Sequence, residues 1–129
     1  MSADWQSLPR TPFGDTPAAA DQLLALVLAG TKRATSWSAA DGAKGTEVGG
    51  QWVIEDGRGL PRAIVETTEL FVRPFDQVDA DFAAAEGEGD LSLDHWREAH
   101  RAYFIRNGGF DPEMLLYCER FKLVETIEV

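Results

Sequence analysis

The stretch from Gln51 to Val72 constrains the fold more than any other part of this chain. Gln51-Trp52-Val53-Ile54-Glu55 has the composition of a strand, and Asp56-Gly57-Arg58-Gly59 that of a tight turn. A long β-branched run, Arg62-Ala63-Ile64-Val65-Glu66-Thr67-Thr68-Glu69-Leu70-Phe71-Val72, follows and closes at Pro74-Phe75. Branched and aromatic side chains suit a pleated surface, and Asp-Gly supplies the turn, so the segment reads as a β-hairpin. A lone hairpin is marginal in water. The domain must therefore be built on a larger sheet.

Helices flank this sheet in sequence. Asp15-Thr16-Pro17 is a helix start, with Asp or Thr as cap and proline at the first helical position. Ala20, Leu23, Leu24, Val27 and Leu28 follow at helical spacing, and Gly30 stands where a left-handed C-terminal cap belongs. A short helix is predicted over Asp79–Ala85. A longer one follows Ser92, with Leu91 and Trp96 as a hydrophobic staple and Asn107-Gly108-Gly109 as its end. Thr35-Ser36-Trp37-Ser38 reads as a short strand, and the glycine-rich segment Ala39–Gly50 as a mobile loop. Two last strands are predicted, Leu115–Phe121 and Leu123–Val129. Residues 1–12 form an N-terminal arm with Trp5, Leu8 and Pro9. The sum is one α+β domain over residues 1–129, a sheet strongly curved or closed into a barrel with helices alongside.

Composition sets the limits on function. The formal net charge is −10, so the phosphate backbone of duplex DNA is repelled, and small polar ligands or short RNA segments are the partners left. Two histidines and one cysteine, Cys118, give no recognisable soft-metal site and no internal disulfide. No metal and no cofactor is implied. Met1-Ser2-Ala3-Asp4-Trp5 lacks the basic and apolar regions of a secretory leader, and no apolar run is long enough for a membrane helix. A cytoplasmic location is the expectation.

Two polar clusters carry chemistry. Gly30-Thr31-Lys32-Arg33-Ala34-Thr35 sets a cation and a hydroxyl three residues apart at a helix-to-strand turn. Glu86-Gly87-Glu88-Gly89-Asp90 brings carboxylates among glycines. Lysine, hydroxyl and carboxylate together serve acid–base or nucleophilic chemistry, or grip a polar ligand. Each residue also has a plain structural role open to it. Lys32 is a favourable cation at a helix C-terminus, and Thr35 an ordinary strand threonine. Glu86 and Glu88 are carboxylates ahead of a helix. Trp37 stacks a base or sits in the core. Arg33 meets phosphate or solvent, Asp15 caps a helix or touches ligand, and His100 shares an apolar stripe with Trp96 and Tyr103.

In order, Phe13-Gly14-Asp15, Gly30-x-Lys32-x-x-Thr35, Glu86-Gly87-Glu88-Gly89-Asp90 with Ser92-Leu93 and Trp96-Arg97, and Glu119-Arg120-Phe121 resemble the activating-signal-cointegrator homology (ASCH) domain family. The resemblance covers Phe13 to Val124. It implies a PUA-like fold, a curved β-barrel with helices packed alongside and a cleft between, and a role in RNA metabolism. Members include an amidohydrolase of acylated cytidine nucleosides and ribonucleases of single-stranded RNA. By that resemblance the catalytic residues are Lys32, Thr35 and Glu88, with Glu86 the competing carboxylate. Thr35 attacks an exocyclic amide, Lys32 takes its proton, and Glu88 assists the leaving amine. In the metal-independent ribonuclease variant, Lys32 stabilises the phosphorane. Arg33, Trp37, Glu86 and Asp15 are the substrate-binding residues. The expected partner is a modified nucleoside or short single-stranded RNA. A non-catalytic module binding RNA or a nucleoside in the same cleft is the alternative, and an acidic protein-interaction domain a third. One departure stands out: Val48-Gly49-Gly50 replaces a Val-Gly-Asp frequent in the family.

Overall fold

In the computed structural model, which describes residues 5–128, the hairpin is the middle of a five-stranded sheet. In chain order the elements are β1 (Arg10–Pro12), α1 (Pro17–Leu28), β2 (Ala34–Ser38), β3 (Gln51–Glu55), β4 (Pro61–Pro74), α2 (Ala80–Glu86), α3 (Leu93–Arg106) and β5 (Leu115–Thr126). The strand order is β1-β3-β4-β5-β2. Among the described residues only the β1–β3 pair is parallel; the other three are antiparallel. The sheet curls into a half-barrel with β1 and β2 at its edges, the α+β fold expected.

Two of the predicted boundaries differ. The arm is not wholly irregular, because Arg10–Pro12 add an edge strand to β3; its first four residues lie outside those described, as does Val129. The two terminal strands are one, β5, running without a break through Lys122 opposite Glu66. Register shifts lie opposite it at Ile64/Val65 and Thr67/Glu69. An extra residue in one strand bends it and tightens its twist. Such bulges curl the sheet, and they also disrupt the period-2 pattern from which strands are read.

The Thr67/Glu69 bulge has a further effect. Thr67 pairs with Phe121, while Phe71 pairs with Cys118, an alternate position on β5. Thr67 and Phe71 would share a face of a regular strand; the extra residue turns them to opposite faces. On one face Ile54, Ala63, Val65 and Phe121 pack with Leu24 and Val27 of α1. On the other, Leu116 and Cys118 pack with Phe82, Trp96 and Phe104 of α2 and α3. Each fully buried large side chain contributes about 1.5–3 kcal/mol. Cys118 belongs to this core, and burial pushes its thiol up to about 12, so it is an inert hydrophobe.

Caps set the helix ends. Thr16 Oγ1 accepts from Ala19 N (3.1 Å), Asp79 from Phe82 N (2.8 Å), and Ser92 Oγ from His95 N (3.0 Å). Leu91 is 42% exposed, so the predicted staple does not hold Trp96; the core does. The Ala39–Gly50 segment is pinned at both ends. Trp37 Nε1 donates to Gly42 O (2.8 Å), Gly49 N donates to Thr67 O (2.8 Å), and Thr67 N to Gly50 O (2.9 Å). The last two bonds are backbone to backbone, so they need no aspartate at position 50.

Candidate functional site

The Gly30 turn and the acidic stretch meet through backbone. Gly30 adopts φ +81°, and Thr31 N and Lys32 N both return to Leu26 O (2.9 and 3.1 Å). Arg33 N then donates to Ala85 O (2.6 Å), docking the segment on the end of α2. Gly87 ends α2 in the left-handed region at φ +77°, and a Cβ there would lie 2.5 Å from Thr31 O. Only glycine permits this approach. It carries Glu86 and Glu88 to Lys32.

Lys32 is 2% exposed. Its Nζ donates to Ala34 O (2.9 Å), Glu86 O (3.3 Å), Glu86 Oε1 (3.4 Å) and Glu88 Oε2 (3.1 Å), and stands 5.0 Å from the centre of the Phe13 ring. Every polar neighbour is an oxygen, which suits the three N–H donors of an ammonium. Glu86 is 1% exposed and also accepts from Ser36 Oγ (2.7 Å) and Trp96 Nε1 (2.7 Å). His100 stacks on Trp96 at 4.3 Å, meets Trp96 O through Nδ1 (2.9 Å) and faces Glu86 Oε1 through Nε2 (3.4 Å). Burial alone would raise the Glu86 carboxyl, but the charges of His100 and Lys32 and the hydrogen bonds to it outweigh burial and bring it to about 2. Burial would likewise lower His100; the Glu86 charge prevails and raises it. Glu86, Glu88 and His100 offer ligand atoms within 4.8 Å of one another, a donor set of the metal-binding type. The cation those carboxylates hold is the Lys32 ammonium.

This network forms the floor of a cleft of about 890 Å³ running between α1, β2, the 44–47 loop and α3. Lys32, Thr35, Trp37, Glu86, Glu88 and Asp15 all line it. β2 is an edge strand, so side chains from both its faces, Thr35 and Ser36, reach the cleft. Thr35 is part-buried, and no hydrogen bond joins its hydroxyl to Lys32 among the described residues. Trp37 stacks on Tyr117 across the β2–β5 ladder (5.6 Å) and forms a wall. Asp15 is not the cap of α1. It accepts from Arg106 Nε (3.0 Å) and Asn107 Nδ2 (3.1 Å), tying the start of α1 to the end of α3. Those two bonds hold its carboxyl below the usual range. Arg33 is the expected binding residue that the cleft does not include: its side chain is exposed and outside the lining, and its backbone docks α2.

Sequence reasoning did not name Ser36, Thr67 or Glu119 as site residues, left Trp52 near the expected cleft without a role, and read His100 as a core or boundary histidine. Glu119 is 1% exposed and lines the same cleft. Its Oε2 accepts from Thr67 Oγ1 (2.7 Å) and Trp52 Nε1 (3.0 Å). A signal existed: Glu119 lies between Tyr117 and Phe121 at strand spacing, which puts a carboxylate on an aromatic face.

A curled half-barrel, flanking helices and a polar-floored cleft between them define a PUA-like domain. The ASCH domain sequence profile matches residues 10–125. The chain belongs to the ASCH domain family, which is generally thought to bind RNA. It is similar to the ASCH domain from Lactobacillus crispatus JV V101, at 36% identity over 92% of this chain and 80% of that one, TM-score 0.83. Protein EF3133 from Enterococcus faecalis V583 is 32% identical over 92% of this chain and 77% of that one, TM-score 0.80. Hypothetical protein PH0355, 11% identical over 81% of this chain and 93% of that one, shares the fold alone (TM-score 0.58). No curated protein matches the chain. No helix among the described residues is long and apolar enough to cross a membrane.

Proposed function

We propose that this ASCH domain is a small hydrolase of RNA metabolism whose cleft takes an acylated nucleoside or a short single-stranded RNA segment. The observation that carries the reading is the buried Lys32 ammonium, held between Glu86 and Glu88 on the floor of a cleft that also presents the Thr35 hydroxyl, which has no hydrogen-bond partner among the described residues. Thr35 Oγ1 attacks the carbonyl carbon of the exocyclic amide. Glu88, part-exposed and 3.1 Å from Lys32, takes the hydroxyl proton. Lys32 acts as a donor rather than as the base, because its nitrogen already faces oxygens; the N–H it gives to Glu88 turns to the developing oxyanion as Glu88 takes the proton. Glu88 returns the proton to the nitrogen as the C–N bond breaks, and water then cleaves the threonine ester. The aromatic walls Trp37 and Trp52 suit a nucleobase.

A second reading keeps the ligand and drops the chemistry. Lys32 and Glu86 are fully satisfied by protein groups, as in a network that only shapes a binding cleft. Turnover of acylated nucleosides and short single-stranded RNAs separates the two. Wild type should form product, and Thr35→Ala and Glu88→Gln should abolish it while both variants melt near wild type. Saturable binding by wild type without product in any substrate would replace the hydrolase with the binding module.

A further inference from the structure

Glu119 plays no part in the chemistry above, yet it is the most conspicuous unspent group in the cleft. Both of its hydrogen bonds, from Thr67 and Trp52, go to Oε2; Oε1 accepts none among the described residues. A carbonyl oxygen alone would hold those two donors, so the second carboxyl oxygen is surplus to packing. Oε1 is not sealed in the core: among the described residues the buried side-chain polar atom left without a partner is Arg62 Nε, so Glu119 Oε1 opens onto the cleft that the residue lines. Burial raises the Glu119 carboxyl, and the bonds from Thr67 and Trp52 and the charge of Lys32 only partly offset this.

The group is also rigidly aimed. Trp52 is locked edge-on between Phe13 (5.5 Å) and Phe121 (6.1 Å). Thr67 is fixed by its two backbone bonds to the Gly49-Gly50 turn. Glu119 is the cross-strand partner of Thr35 on the β2–β5 ladder, so the two side chains stand on one face, side by side.

We propose that Glu119 reads the nucleobase, its Oε1 accepting the N–H of an exocyclic amino or amide nitrogen and so setting that nitrogen's substituent beside Thr35. The proposal rests on the nucleoside reading of the cleft and names its specificity group. The ligand class is a base that presents a donor where uracil presents a carbonyl oxygen. A carboxylate is the side chain that accepts from such an amino group.

Cytidine and uridine, alike in shape and differing in that group, are the probes, titrated by tryptophan fluorescence. Wild type should prefer cytidine by about tenfold or more. In Glu119→Gln the side-chain carbonyl stays with Thr67 and Trp52, which turns the amide NH₂ toward the ligand. Cytidine affinity should then fall about tenfold, and the preference should vanish or pass to uridine. Thr67→Val, which releases one anchor of Oε2, should narrow the preference without a shift in favour of uridine. Equal affinity of wild type for the two nucleosides, or a cytidine preference kept by Glu119→Gln, overturns this inference alone. Failure of wild type to bind either nucleoside overturns it together with the nucleoside reading of the cleft on which it rests, and leaves the short-RNA reading to the turnover test above.

Discussion

Glu86 shows how a buried carboxylate is kept charged. It is enclosed by Lys32, His100, Trp96 and Ser36, so each partner offsets part of a desolvation cost that none offsets alone. Trp96→Phe preserves the ring packing and removes one donor. It should cost about 1–3 kcal/mol, read as a lower urea midpoint at unchanged slope. Lys32→Ala should cost more, about 3–5 kcal/mol, because it strands a buried charge. His100 gives the network a pH signature. Its folded pKa is raised, so its stabilisation is complete below the unfolded value near 6.5 and is lost as pH rises through the folded value. Urea midpoints measured from pH 6 to 8 should fall in wild type and stay flat in His100→Gln. Glu86 acts at the other end: its stabilisation is present above its ordinary value of 4.5 and is lost as pH falls toward about 2.

The element that assembles the site is the end of α2, not any strand. Gly87 adopts φ +77° with its α-carbon against Thr31 and Lys32, so a methyl group would meet backbone at 2.5–2.8 Å. Gly30 has φ +81° and open space around it. Gly30→Ala therefore carries backbone strain only, about 1–2 kcal/mol. Gly87→Ala carries that strain and a clash with backbone that cannot swing aside. Chemical denaturation should rank Gly87→Ala well above Gly30→Ala in cost, and nucleoside binding should weaken in Gly87→Ala alone. Equal costs would show that the α2 contact does not position Lys32. This contact joins residues 54 positions apart in Lys32 and Glu86, out of reach of helix caps and strand periods.

For the molecule as a whole, charge limits the length of nucleic acid that the proposed function allows in the cleft. A net charge of −10 repels a polyanion, whereas the cleft itself balances Arg10, Lys32, Lys44 and Arg106 against five carboxylates. Arg10 and Arg106 are already engaged with Glu55 and Asp15. Few cations remain for phosphates. Lengthening a ligand from nucleoside to oligonucleotide should gain less than about tenfold in affinity, with a salt slope worth no more than about one or two phosphate contacts. Titrations of a length series at several salt concentrations check this. A steep slope would mean that a phosphate track lies outside the cleft.

By itself the sequence determined the local architecture. The Thr16-Pro17 start and Gly30 stop of α1, the Ser92 cap of α3 and the Asp-Gly hairpin are each written within a few residues, where propensity, capping and turn chemistry act. The ordered motifs from Phe13 to Phe121 were enough to indicate the family. The tertiary structure alone decided which carboxylates gather at Lys32, that Arg33 faces away, and that Glu119 enters the cleft through Trp52, 67 residues distant in sequence. The bulges that curl β4 against β5 turn Thr67 toward Glu119, and the left-handed Gly87 brings α2 onto the Lys32 turn. Both depend on backbone pairing between distant segments, a property that no window of neighbouring residues encodes.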